Sequence, residues 1–233
     1  MASKEGVDRI PTGIPGLDKL IEGGFVKGST ILVSGGTGTG KTIFSMQYLL
    51  EGLKNGENCM FITLEETPED LVADVARFGW DLQKHVQSKK LLIEYHDPFQ
   101  MTDITSLLVE KINEKKISRI VIDSTSLFGL YFKDPFEVRK QLFKLLMGLK
   151  GTNATSVLTS ELSEEEKKLS RFGVEEFIVD GVIVLHYLGV GEATYNNVEV
   201  RKMRRTNHAK GTFQMEFSDG GIKVVADKGK LHF

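Results

Sequence analysis

Cysteine is almost missing from this chain: there is one, Cys59, in 233 residues. A single thiol excludes an intramolecular disulfide framework and any cysteine-based zinc site within one chain. Its setting, Asn58-Cys59-Met60-Phe61-Ile62, reads as a buried strand. Charge of one sign is lacking too. Lys and Arg number 30 against 32 Asp and Glu, and a net charge of −2 gives no bulk electrostatic reason for a nucleic-acid or membrane partner. No uncharged apolar run approaches the roughly 18 residues of a membrane span. Nothing apolar follows Met1-Ala2-Ser3-Lys4-Glu5-Gly6, so no secretory signal is expected and the cytoplasm is the expected compartment. His85, His96, His186 and His232 lack metal-ligand spacing. Repeats and low-complexity tracts are absent. The one tryptophan, Trp80, reads as a packing anchor.

What is present is an ordinary globular composition, 40% hydrophobic and 27% charged. The length suits one α/β domain over residues 1–233. A short helix is expected at 14–21. A strand at 30–33 then leads through a glycine cluster into a helix at 43–54, closed by Asn55-Gly56. The alternation continues with strands at 59–64, 91–96, 119–122 and 154–159 and helices at 68–78, 102–115 and 135–150. Strands alternating with helices predict a mostly parallel central sheet covered on both faces. Four strand-like segments without helices follow, at 180–187, 197–203, 211–217 and 222–225, and predict an antiparallel C-terminal extension.

Gly35-Gly36-Thr37-Gly38-Thr39-Gly40-Lys41-Thr42 matches G-x-x-x-x-G-K-[ST] without exception. The glycines let backbone N–H groups curl around phosphate oxygens, and the helix that follows points its positive end at them. Lys41 is placed to reach the β- and γ-phosphates, and the Thr42 hydroxyl to coordinate Mg²⁺. The strand before and the helix after supply the context that the motif requires.

Such a site needs a second carboxylate at a strand end for the Mg²⁺ shell and a group that handles water. Asp123, closing the apolar strand Arg119-Ile120-Val121-Ile122, suits the first task. Glu65 and Glu66 end another strand, where neighbours point in different directions. One would orient the attacking water while the other supports it or the metal. The pair equally suits the acidic start of the next helix.

These landmarks resemble the RecA/DnaB branch of P-loop ATPases, and within it the KaiC family. Thr12-Gly13-Ile14-Pro15-Gly16-Leu17-Asp18-Lys19-Leu20 resembles the segment ahead of the P-loop. Phe61-Ile62-Thr63-Leu64-Glu65-Glu66-Thr67-Pro68, Phe78-Gly79-Trp80-Asp81, Gly173-Val174-Glu175-Glu176-Phe177 and Lys202-Met203-Arg204-Arg205-Thr206-Asn207-His208 resemble the KaiC family itself. The resemblance implies a RecA-like ATPase that forms a ring, usually a hexamer, with ATP or ADP and Mg²⁺ at subunit interfaces. It implies that the P-loop with Ile43, and Glu65-Glu66, act from one subunit, with Glu66 a candidate for the metal shell. Arg77 and Phe78 would wall the nucleotide from that same side. Lys202, Met203, Arg204, Thr206 and His208 would come from the neighbour, with Lys202 and Arg204 near the γ-phosphate. Ser218-Asp219 would approach the base or ribose, again from the neighbour. Read without the resemblance, the basic run from Arg201 to Arg205 is a solvated edge strand or a phosphate-contacting patch. The family's kinase half carries an adjacent Ser-Thr pair that it phosphorylates. Glu176-Phe177 stands in that place, so the chain resembles the ATPase half and autokinase activity is not expected.

Two functions compete: a slow ring ATPase read as a switch or timer by partner proteins, and a DNA-dependent recombination ATPase of the RecA/RadB type. The second needs basic loops. Residues 127–135 offer only Lys133 against Asp134, and residues 163–172 balance Glu164, Glu165 and Glu166 with Lys167, Lys168 and Arg171. That is poor material for gripping phosphates, so nucleic acid is not an expected partner. A nucleotide-binding scaffold with dead chemistry is disfavoured by Lys41 and the intact Glu pair.

Overall fold

The computed structural model of the chain describes residues 6–97, 104–162, 168–190 and 193–225. Its main sheet has nine strands in the order β11-β10-β9-β8-β3-β7-β6-β4-β5. The parallel part comprises β3 (Thr30–Gly35), β4 (Asn58–Thr63), β5 (Leu91–Tyr95), β6 (Ile117–Asp123), β7 (Thr155–Glu161) and β8 (Gly181–Val190). β9 (Ala193–Met203), β10 (Thr212–Ser218) and β11 (Gly221–Val224) run antiparallel on the β8 side. The mostly parallel sheet with an antiparallel extension is therefore the architecture found.

Period-two alternation divides the core. Ile31, Val33, Phe61, Val121 and Val157 face one side, where α2 (Lys41–Lys54), α3 (Pro68–Ala76) and α4 (Leu82–Gln87) lie. Leu32, Met60, Ile62, Ile120, Ile122 and Leu158 face the other, against α5 (Ile104–Lys115), α6 (Phe128–Tyr131) and α7 (Pro135–Lys150). Strands buried on both faces have to read as continuous apolar runs, and these do.

The expected helix at 14–21 shrinks to α1 (Leu17–Leu20), because Gly16 turns left-handed (φ 87°) immediately before it. A small antiparallel pair, β1 (Arg9–Ile10) with β2 (Phe25–Val26), brackets α1. The expected helix start at 102 lies outside the described residues. α4 is too short to show a helical period, although Asp81, whose carboxylate accepts from Lys84 N, marks its start. Arg119, expected only to open a strand, is fully buried. Its Nε and Nη2 donate to Glu57 at 2.7 and 3.2 Å, its Nη1 donates to the carbonyls of Pro11 and Tyr48, and its guanidinium lies over the Tyr48 ring. A buried charge has to be paired this fully to be tolerated. The clamp ties β6, α2 and the N-terminal segment together.

A second buried charge-bearing group sits in α8 (Glu175–Ile178). Glu175 is 0% exposed, and its carboxyl receives Ser170 Oγ at 2.7 Å and Val174 N at 3.2 Å. Burial pushes the Glu175 carboxyl above its ordinary value of 4.5, and Glu176 adds to the push. An acid whose folded pKa is raised stabilises the fold below its unfolded pKa, and that stability is lost as pH rises through the folded pKa. Glu175→Gln mimics the protonated form at every pH. Urea unfolding across pH should therefore show wild type losing stability relative to Glu175→Gln as pH rises above 4.5. A pH-independent difference would show that Glu175 ionises normally.

Candidate functional site

Three helices begin with a side-chain cap: Thr67 accepts from Asp70 N, Asp81 from Lys84 N, and Asp134 from Phe136 N. The long α2 has none. Its N-cap is Gly40, left-handed at φ 94°, with no side-chain hydrogen bond. The orphan N–H groups of its first turn therefore stay open to an anion. Gly40 also has no room for a side chain, since a Cβ there would lie 2.6 Å from Phe217 Cζ. Around Gly38 the space is open. The sequence thus builds a cradle and leaves it without an internal occupant.

Register collects the acids around it. Gly35 pairs with Glu161 of β7 and Leu185 of β8, while Thr63 of β4 pairs with Asp123 of β6. Lys41 Nζ donates to the carbonyls of Gly35 (3.1 Å) and Gly36 (2.9 Å). Burial pulls its pKa down, and the carboxylates of Glu161, Asp123 and Glu65 oppose that pull. Thr42 Oγ1 donates to Asp123 Oδ2 at 2.7 Å, and Thr159 Oγ1 donates to Asp123 Oδ1. Burial raises the Asp123 pKa, and these two hydroxyls act to lower it.

Glu65 and Glu66 are distinguished by their partners. Ser124 Oγ donates to Glu65 Oε1 at 2.6 Å. Partial desolvation raises the Glu65 pKa against the pull of that bond. Both backbone N–H groups of the pair donate to Thr63 Oγ1, which turns the chain at the strand end. Among the described residues no hydrogen bond holds the Glu66 side chain, which stands on the rim. Its pKa is raised by desolvation and by Asp74 and Asp123. Glu65 thus lies in the cluster with Asp123, and Glu66 beside it.

Arg77, Phe78 and Trp80 form a stack, with the guanidinium 4.7 Å from the Phe78 centroid and the two rings 5.0 Å apart. The β10–β11 turn packs on the same side. Gln47 of α2 bonds both backbone groups of Ile222, and a Cβ on Gly221 would lie 2.5 Å from Trp80 Cζ2. Ser218 and Asp219 therefore sit with Arg77 and Phe78 on the side of their own P-loop. Phe217, seated on Gly40, fixes where this turn stands against its own chain. Ile43 is half-buried and packs its side chain on the core.

The basic run lies elsewhere. Arg204 N donates to the Asp180 carbonyl, and Asp180 N to the carbonyl of Thr30, at the opposite end of β3 from Gly35. Five residue steps at about 3.3 Å put that end roughly 16 Å from the P-loop. Arg204 is exposed, 3.4 Å from Asp180 Oδ1. Lys202 Nζ donates to the Glu176 and Val179 carbonyls at the end of α8. Met203 is buried in the core, so only its backbone is free to meet a ligand. Thr206 Oγ1 accepts from Arg9. The buried His208 ring has its Nε2 3.0 Å from Lys210 Nζ. These residues are brought together with one another and not with their own P-loop.

Sequence reasoning assigned no role to Ser124, Thr159 or Glu161, since each acts through a strand not adjacent in the chain. Among the described residues no three His, Cys, Asp or Glu side chains could form a metal cage. Thr42 and Asp123 offer hard oxygens instead, which suits Mg²⁺ shared with phosphates and water. No helix is long and apolar enough to cross a membrane among those residues. A cavity of about 430 Å³ at the far end of the sheet is lined by Lys27, Asn113, Lys116 and Asn153, and its one lining carboxylate, Glu57, is taken by Arg119. Residues 163–167 of the candidate DNA loop lie outside the described residues.

A family model described as the KaiC ATPase matches residues 10–229. The circadian clock oscillator protein KaiC of Prochlorococcus marinus is 38% identical over 234 residues, covering 96% of this chain and 46% of that protein. KaiC of Synechococcus elongatus is 38% identical, covering 94% of this chain and 44% of its own length. The chain thus spans about half the length of the curated relatives it matches. A crystal structure of a KaiC-like protein from the hyperthermophilic archaeon Pyrococcus horikoshii OT3 superposes with a TM-score of 0.88 at 38% identity, covering 94% of this chain and 100% of that one.

Lys41 supplies the cation of the cradle, so Lys41→Ala should weaken ATP binding roughly 10–100-fold, the equivalent of ~1.5–3 kcal/mol for hydrogen bonds to a charged group. Calorimetric titration measures this. Unchanged affinity would sink the assignment of the loop.

Proposed function

Because the chain belongs to the KaiC family of RecA-like P-loop ATPases, we propose that it binds Mg²⁺-ATP and hydrolyses it slowly at the interfaces of a homo-oligomeric, six-membered ring. The observation that carries this reading is the alignment of Lys41, Thr42 and Asp123 beneath the open start of α2, with Glu65 fastened by Ser124 at its edge.

The chain's own groups divide the work. The backbone N–H groups of the loop and of the first turn of α2 receive the phosphates. Lys41 exchanges the Gly35 and Gly36 carbonyls for phosphate oxygens. Thr42 and Asp123 hold Mg²⁺, which neutralises phosphate charge when bound. Glu65 orients the attacking water and accepts its proton. Partial desolvation raises its basicity toward the working pH, and Ser124 fixes its direction. Glu66 supports that water from the rim. Arg77 and Phe78 wall the nucleotide of their own subunit, and Ser218-Asp219 approach the base or ribose of the neighbour's.

Arg204, a strand's length from its own P-loop, serves the neighbour's site, together with Lys202, the Met203 backbone, Thr206 and His208. An arginine supplied in trans stabilises the charge of phosphoryl transfer and is worth roughly 10³–10⁵ in rate. The ring acts as a cytoplasmic switch or timer read by partner proteins, and one domain spans residues 1–233. Glu176-Phe177 offers no hydroxyl for self-phosphorylation.

The trans role has a test that a cis arginine cannot pass. Arg204→Ala subunits and Glu65→Gln/Glu66→Gln subunits should each be nearly inactive alone. Mixed after confirmed subunit exchange, they form some interfaces that pair intact acids with an intact arginine. Phosphate release should reappear at intermediate ratios. Exchange without recovery counts against the trans assignment. Fluorescence anisotropy should show at best weak, salt-sensitive binding to single-stranded DNA. Tight binding at physiological salt with DNA-stimulated hydrolysis would favour a recombination ATPase instead.

A further inference from the structure

Thr159 lies on β7, one strand away from Asp123, and is 0% exposed. Its hydroxyl has one proton and meets two acceptors, the Ile122 carbonyl at 3.5 Å and Asp123 Oδ1, which is much the nearer. The other carboxylate oxygen receives the Thr42 hydroxyl at 2.7 Å. Among the described residues these two hydroxyls are the side-chain partners of Asp123. Thr159 is itself fixed, because Thr125, two residues beyond Asp123, donates its hydroxyl to the Thr159 carbonyl at 2.9 Å. Strand, acid and loop are thus tied in a closed circuit.

The two partners of Asp123 differ in one respect. Thr42 stands in the first turn of α2, where its oxygen would also serve a bound cation. Thr159 stands in the wall of the sheet and has no such second duty. The terminal torsion of an aspartate is broad and two-fold, so a carboxylate held by one movable partner would swing.

We propose that Thr159 is the positioning residue of this carboxylate: by occupying Oδ1 it aims Oδ2 at the metal next to Thr42. The inference rests on the reading of the site as a metal–nucleotide site. Outer partners of metal ligands fix ligand orientation, and their loss costs roughly 10–100-fold in metal affinity or activity.

The test uses the full chain with ADP, so that no turnover intervenes, and Mn²⁺ as the probe, titrated with paramagnetic resonance of the free ion as readout. Thr159→Val keeps the shape of the side chain and removes the hydroxyl. It should bind metal-free ADP as wild type does, but bind Mn²⁺ in the ADP complex roughly 10–100-fold more weakly. Thr159→Ser, which keeps the hydroxyl, should restore the affinity. A merely structural role would weaken metal-free ADP binding as well and would not be rescued by serine. Wild-type Mn²⁺ affinity in Thr159→Val, or equal weakening in Thr159→Ser, overturns the proposal and leaves the site reading standing. Absence of any Mn²⁺ effect on ADP binding in wild type overturns both. Should the valine variant fail to fold, Thr159→Ala replaces it against Thr159→Ser, with the same outcomes deciding.

Discussion

Parallel strands cannot be joined by a tight hairpin, and every other feature of this protein follows from that constraint. Each connection among β3, β4, β5, β6 and β7 has to leave the sheet at one end, cross a face and re-enter at the other. The crossings are α2, α3 with α4, α5, and α6 with α7, and they cover both faces. The exits lie together at the carboxyl ends of the strands. The P-loop, Glu65-Glu66, Asp123-Ser124 and Glu161 are all such exits, which is why residues up to 126 positions apart converge on Lys41. Ligands of open α/β sheets bind in that crevice for this reason.

The site that results is electrostatically one-sided before any ligand arrives. Glu65, Asp123 and Glu161 surround one ammonium group, and burial works against the charges of Lys41, Asp123, Glu65 and Glu66. Lys41 rests on the carbonyls of Gly35 and Gly36, acceptors that it can leave without stranding a buried acid. The arrangement favours a ligand that brings cation and polyanion together, because either alone would upset the balance.

How much of this was legible in the sequence depended on how local the signal was. The glycine cluster with Lys41 and Thr42 is contiguous, and so it could be read outright. Asp123 and Glu65 sit at the ends of apolar strands, a pattern visible once the P-loop was in hand. The covering of both sheet faces was legible as well, from the alternation of strands with helices. Thr159 and Glu161 were not, because their roles come from β7 lying between β3 and β6, nor was Ser124, which meets Glu65 because β6 lies beside β4; strand order is set by crossover geometry rather than by local pattern. Arg119 opens a strand in sequence and closes the N-terminal segment in space. Neither Pro11 nor Tyr48 announces that it will accept from it. Nor does the local pattern show Phe217 meeting Gly40, a contact across 177 positions.

That contact has a mechanical meaning. β9, β10 and β11 form one ribbon of paired strands. At its upper end the ribbon rests on the glycine that opens α2, and at its lower end it carries Arg204 out into solvent. A hydrogen-bonded ribbon resists shear along its strands, so it behaves as a beam with a fulcrum at β8. Phe217 on Gly40 and Arg204 just beyond β9 thus mark the two ends of one hydrogen-bonded ribbon.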